Sequence, residues 1–136
     1  MLTIRQAAAF DQPAWDDYVL QHPEGLAYHL FAWKQSVEAI YGFDCPYFLA
    51  QRSERVCGIL PTAHVHWPLR HGSLVSLPYC DMGGVLADDA ETAQALLSYA
   101  LNYASRHGIR ELELRVSQAH SYGSSQFTVY TSQGEE

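Results

Sequence analysis

AETAQALLSYALNYASRHGIRELELRV, residues 90–116, is one long helix followed by one strand, and the rest of the chain is arranged around that pair. The helix runs from about Ala90 to His107, with acidic Asp88, Asp89 and Glu91 favouring its N-terminus and Gly108 its C-terminal cap. From Ile109 to Val116 the pattern changes to period two: Leu112, Leu114 and Val116 fall on one face, Glu111, Glu113 and Arg115 on the other. Upstream, Ser73-Leu74-Val75-Ser76-Leu77 reads as a strand, joined to the helix through the loop Pro78-Tyr79-Cys80-Asp81-Met82-Gly83-Gly84.

Further toward the N-terminus, Leu2-Thr3-Ile4-Arg5 alternates as a short strand. Asp11-Gln12-Pro13 opens a helix from about Gln12 to Gln21, with Asp11 placed to cap it, and His22-Pro23-Glu24-Gly25 ends it. From Tyr28, the positions Phe31, Ala32, Val37, Ile40 and Tyr41 keep helical spacing up to Gly42. Pro46–Ala50 and Val56–Leu60 suit two antiparallel strands across the polar turn Gln51–Arg55, with Pro61 interrupting the ladder. The order β-α-α-β-β-β-α-β predicts an α/β (α+β) domain in which helices cover a mixed sheet. It occupies residues 1–116, followed by a loosely held tail, 117–136, with one strand at Phe127–Tyr130.

The chain has 136 residues, 48% of them hydrophobic and 17% charged, which suits one globular core. Eight Lys and Arg against 15 Asp and Glu give a net charge of −7, so no basic stripe exists to neutralise phosphates, and direct nucleic-acid binding is disfavoured. No apolar run reaches the ~18–20 residues that span a bilayer, and the N-terminus lacks a signal-peptide layout, so a soluble cytoplasmic protein without membrane insertion is expected. Cys45, Cys57 and Cys80 form no C-x-x-C pair and read as reduced, mostly buried thiols.

Several strings, in this order, carry a resemblance: Tyr28-His29-Leu30-Phe31-Ala32-Trp33, Tyr41-Gly42, Val56-Cys57-Gly58-Ile59-Leu60-Pro61, the run from Leu74 to Leu86 with its Leu77-Pro78-Tyr79-Cys80-Asp81-Met82-Gly83-Gly84 core, and Leu112-Glu113-Leu114-Arg115. Together they resemble the Fem-like branch of the GNAT acyltransferases, most closely the FemAB-like proteins associated with exosortase (PEP-CTERM) systems. The resemblance implies a GNAT-like mixed sheet flanked by helices, here the first of two tandem halves and lacking the usual C-terminal elements. It also implies transfer of an acyl or aminoacyl group, without a covalent enzyme intermediate, to an amine of a cell-envelope or polysaccharide precursor. Acyl-CoA or aminoacyl-tRNA would be the donor and a saccharide, peptide or other small molecule the acceptor, with no tightly bound cofactor. A second GNAT-like half or a homodimer would complete the site.

Within that frame, the loop before the long helix matters most. Gly83 and Gly84 give it backbone freedom, while Asp81, Asp88 and Asp89 repel a phosphate at short range. Asp81 can accept hydrogen bonds from an acceptor amine, with Tyr79 beside it as donor or stacking platform; ordinary Asx-turn chemistry is the other reading. His29 is the candidate acid or base, four residues from Trp33 and next to Tyr28, and the same aromatics also suit a core. Arg115 can hold an anionic ligand or pair with a carboxylate across the sheet. His64 and His66 share a strand face, with His71 beyond, but no acidic or cysteine partner completes a set, so no metal is expected. Cys80 beside Asp81 reads as a small buried hydrophobe rather than a nucleophile. The reading outside enzymology is a protein-binding or self-associating module that keeps the fold.

Overall fold

A computed structural model describes residues 1–65, 73–76, 84–109, 111–114 and 128–131. The elements are β1 (Leu2–Gln6), α1 (Gln12–Gln21), α2 (Phe31–Tyr41), β2 (Phe48–Arg52), β3 (Arg55–Leu60), β4 (Thr62–Val65), β5 (Ser73–Ser76), β6 (Leu86–Ala87), α3 (Ala90–Arg106), β7 (Glu111–Leu114) and β8 (Thr128–Thr131). Two four-stranded ladders result, β1-β2-β3-β6 and β4-β5-β7-β8, antiparallel throughout except for the parallel pair β5 and β7. The α/β architecture expected from the sequence is the one observed.

The first ladder is a central layer with apolar residues on both faces. Phe48, Ala50 and Leu60 pack beneath α3 with Leu96, Ala100 and Ala104. Leu49 and Ile59 point the other way, toward Trp15, Val19, Phe31 and Val37 of the first two helices. This alternation is the period of two that a strand imposes. Trp15 is fully buried, stacked on Tyr47 at 4.9 Å between centroids and edge-on to Phe31 at 5.6 Å. Opposite Ala50 and Gln51 the register slips, leaving Cys57 as the extra residue of a bulge. Next to it, Gly58 lies so close to α3 that a Cβ would stand 2.8 Å from Thr92 Cγ2 and 3.0 Å from Leu96 Cδ1.

Local signals set most boundaries. Asp89 caps α3 by accepting from the Thr92 N–H at 2.8 Å, and Gly108 turns the chain out at φ +70°. Gly42 ends α2 at φ +74°. Three details depart from the sequence reading. Asp11 sits at the head of α1, but its side chain turns back to bind both Nη atoms of Arg5 at 2.7 and 2.8 Å and the Ala8 N–H at 2.7 Å. A paired, buried carboxylate gains more from that fork than from an exposed cap. The second helix begins at Phe31 rather than Tyr28, because Ala27–His29 forms a 3₁₀ turn and Leu30 is extended at φ −64°, ψ 149°. β4 and β6, absent from the expected order, are real strands: Pro61 breaks β3 from β4, which changes ladder, and Leu86–Ala87 pairs with Gly58 and Ile59.

The strand expected at Phe127–Tyr130 is β8, paired along β7 from Glu111↔Thr131 to Leu114↔Thr128. The second ladder thus draws an edge strand from beyond residue 117. No helix among the described residues is long and apolar enough to cross a membrane.

Candidate functional site

β4 and β5 align Thr62 with Ser76, whereas β3 and β6 align Ile59 with Leu86. Between these two pairs lie residues 60–61 on one side and, on the other, the segment 77–85, of which 77–83 lie outside the described residues. It follows the C-terminal end of β5, whose ladder with β7 is parallel. Outside the carboxyl ends of parallel strands is where open α/β sheets take ligands. Of the residues expected to act here, Tyr79, Asp81, Gly83 and Arg115 lie outside the described residues, as do Cys80, His66 and His71. Gly84 is described, buried, and at φ +118°, a conformation open to glycine.

Gly84 is held by His29. The imidazole is 1% exposed; its Nδ1 accepts from the Leu26 N–H at 3.0 Å, and its Nε2 lies 3.1 Å from the Gly84 carbonyl oxygen. An acceptor on one nitrogen and a carbonyl at the other fix the neutral Nε2–H tautomer. The His29 carbonyl in turn accepts from Trp15 Nε1 at 2.7 Å. A general acid or base needs a ring nitrogen presented to substrate, and both nitrogens of His29 are engaged in the interior. In this geometry the ring of His29 joins the Gly84 carbonyl to the Leu26 N–H, in the turn that precedes α2.

The break at Leu30 also separates His29 from Trp33, so the shared helical face expected for them does not form. Trp33 instead meets Tyr28 edge-on at 5.2 Å, and Tyr28 is 45% exposed. Trp33 Nε1 is buried with no hydrogen-bond partner among the described residues. Trp33 also lines a small depression with Ser36, Val37, Ile40 and Tyr41.

The start of α3 carries the electrostatics. Arg52 reaches Thr92 Oγ1 at 3.1 Å, Asp89 Oδ2 at 3.6 Å and Glu91 Oε1 at 3.4 Å. Asp89 is held below the ordinary carboxylate range, first by its hydrogen bonds from Thr92 and then by Arg52. One amide of the helix end is thus already taken, and Asp88, Asp89 and Glu91 surround the rest. A diphosphate would meet like charge there.

A cavity of about 440 Å³ opens on the other side, between the C-terminal end of α1, the Ser53-Glu54 turn and Asp88. Tyr18 Oη lies 2.9 Å from Asp88 Oδ1 and 3.1 Å from the Cys57 carbonyl. His22 bridges the Glu24 N–H, which its Nδ1 accepts at 3.0 Å, and the Ala87 carbonyl at 3.1 Å from Nε2. Neither Tyr18 nor His22 stood out as a site residue in the sequence; the one local trace is their i, i+4 spacing, with rings 5.6 Å apart.

Among the described residues, no group of three metal-ligating side chains occurs. His64 is in β4, opposite Leu74. Burial pushes the Cys45 thiol up to about 12, and burial likewise raises Cys57, which suits inert buried thiols.

No family model and no curated protein sequence matches this chain. Solved structures do. A probable acetyltransferase from Staphylococcus epidermidis is similar with a TM-score of 0.66 at 11% identity, over 96% of this chain and 99% of that one. FemX is similar at 0.62 and 17% identity over 84% of this chain, which spans 26% of FemX. The ribosomal-protein-S18-alanine N-acetyltransferase of Escherichia coli is similar at 0.56 and 18% identity, over 88% of this chain and 70% of that one. The fold is that of the GNAT acetyltransferases.

Proposed function

We propose that this GNAT-fold chain takes part in acyl transfer to an amine, with the 77–85 segment at the end of the parallel β5–β7 pair as the place of reaction. The observation that carries this reading is the His29–Gly84 hydrogen bond. A neutral, fully buried histidine is spent on fixing the end of that one segment, as a site that must hold reacting groups in register requires. In this reading Asp81 accepts from the acceptor amine, Tyr79 and Gly83 shape its seat, Arg115 holds an anionic group, and Tyr28 with Trp33 offers an aromatic wall. The amine attacks the donor carbonyl directly: the new C–N bond forms, the C–S bond of a thioester breaks, and the amine proton leaves with the thiolate.

The net charge of −7 favours an acyl thioester over an aminoacyl-tRNA as donor. The likeness to FemX supports an acceptor among amines of cell-envelope or polysaccharide precursors, and a second copy or second GNAT-like half would supply what one fold lacks. The test is a panel of acetyl-, succinyl- and longer acyl-CoA donors with amino sugars and short peptides. Free thiol and acceptor mass are followed together, and thiol released without acceptor acylation counts as hydrolysis.

A second reading, a binding module without catalysis, is favoured by the carboxylates at the start of α3. Donor binding separates the two: calorimetry showing no uptake of any acyl-CoA by the chain, alone or as a dimer, would leave the module.

A further inference from the structure

We infer that β1 pairs with β1 of a second copy of this chain, so that the two β1-β2-β3-β6 ladders join edge to edge about a two-fold axis at Ile4. β1 ends its ladder, with no strand beyond it among the described residues. The Ala7 N–H donates to the Tyr47 carbonyl at 2.6 Å, which fixes the phase of the strand: Thr3 and Arg5 turn their backbone groups to β2, and Leu2, Ile4 and Gln6 turn theirs outward. Those three residues are symmetric about Ile4. Antiparallel pairing of the strand with its own copy sets Leu2 against Gln6 and Ile4 against Ile4, and in that register every outward N–H and C=O finds a partner.

Charge selects the same occupant. Strand edges are guarded by prolines, bulges or unpaired charges, and β1 has none of them. Its one charged side chain, Arg5, is held on its own chain by both carboxylate oxygens of Asp11 and by Gln51. In a chain of net charge −7 a copy is repelled wherever carboxylates face it. β1 carries no carboxylate, and α3, which lies over Leu2 and Ile4, has no charged side chain from Thr92 to Ser105. The opposite edge of the ladder, β6, runs directly into Asp88 and Asp89. On the α3 side the two Ile4 side chains meet across the axis and continue the core; on the other side Thr3 faces Arg5, so no like charges oppose one another. Exposed apolar side chains flank the strand, Met1 before it and Phe10 after it, and the two-fold brings the Met1 end of one copy to the Ala7–Phe10 stretch of the other.

The pairing uses no residue invoked for acyl transfer, so it is independent of that reading and is measured without a donor. Sedimentation equilibrium of the full chain at physiological salt should show a concentration-dependent dimer. Amide exchange followed by NMR should find Leu2, Ile4 and Gln6 protected at high concentration and released on dilution, with Thr3 and Arg5 protected throughout. Thr3 is exposed, so its substitution spares the fold of the monomer. Thr3→Lys sets a second cation against Arg5 of the other copy and should weaken the dimer severalfold; Thr3→Glu sets an opposite charge there and should tighten it severalfold. That opposite sign is one that loss of structure cannot produce. A mass that stays monomeric up to about 1 mM, a dimer whose Leu2, Ile4 and Gln6 amides stay unprotected, or a shift of the same sign by both Thr3 variants at an unchanged melting temperature would overturn the inference.

Discussion

At the scale of residues, His29 is a buried side chain that ties together two distant stretches of backbone. His29→Ala removes a buried ring and strands both the Leu26 N–H and the Gly84 carbonyl, so destabilisation of about 3 kcal/mol is expected in urea titrations. A change near zero would mean the ring is not fastening that segment. Asp11 gives a pH dependence. Its carboxyl is held below the ordinary value, first by the Arg5 hydrogen bonds, with the Ala8 N–H assisting against burial. A depressed folded-state pKa contributes stability in full above the unfolded value near ~4 and loses it as pH falls through the folded one. Asp11→Asn should lower the melting temperature at neutral pH and flatten its decline below about pH 4. The sequence marked both residues but showed neither partner: Gly84, which the His29 ring meets, lies 55 positions away, and Asp11, read as a cap, forks backward to Arg5, where capping rules do not look.

At the scale of elements, the tightest fit is α3 against Gly58. Gly58→Ala places a methyl 2.8 Å from Thr92 Cγ2, and about 1–3 kcal/mol of destabilisation is expected. Thr92→Ser removes that methyl while keeping the hydroxyl that Arg52 reaches, so the double variant should recover part of the loss. Additive losses in the double-mutant cycle would contradict this packing. Elements with strong end signals were legible: Gln12–Gln21 appears as read, and α3 ends one residue short of the expected His107. β6 was not, because two residues carry no period. The start of α2 was misread because the apolar spacing continues backward through Leu30 into the 3₁₀ turn, with no glycine or proline to mark the break. The cavity was invisible for a related reason, being assembled from α1, the β2–β3 turn and Asp88 without any local pattern.

At the scale of the whole molecule, charge dominates. With a net charge of −7 and three carboxylates at the start of α3, a polyanionic thioester approaches against repulsion. Screening weakens repulsion, with a Debye length falling from ~30 Å at 0.01 M to ~10 Å at 0.1 M salt. Acyl-CoA affinity should therefore rise with salt over that range, and Glu91→Gln should tighten it at low salt. Calorimetric titrations in which the donor weakens with salt would show that it binds a basic surface elsewhere. The α/β class and the order of the main elements were readable from alternation and caps alone, whereas the division into two ladders was not, since it depends on Pro61 and on pairings across long stretches of chain.

The bulge at Cys57 turns the protein into its own timer. The thiol is 3% exposed and lies in the cluster under α3, so an alkylating reagent reaches it only when that helix lifts away. Pulses of iodoacetamide followed by peptide mass spectrometry then read how often the helix undocks, and each ligand that steadies the domain slows the labelling by the factor with which it closes that door.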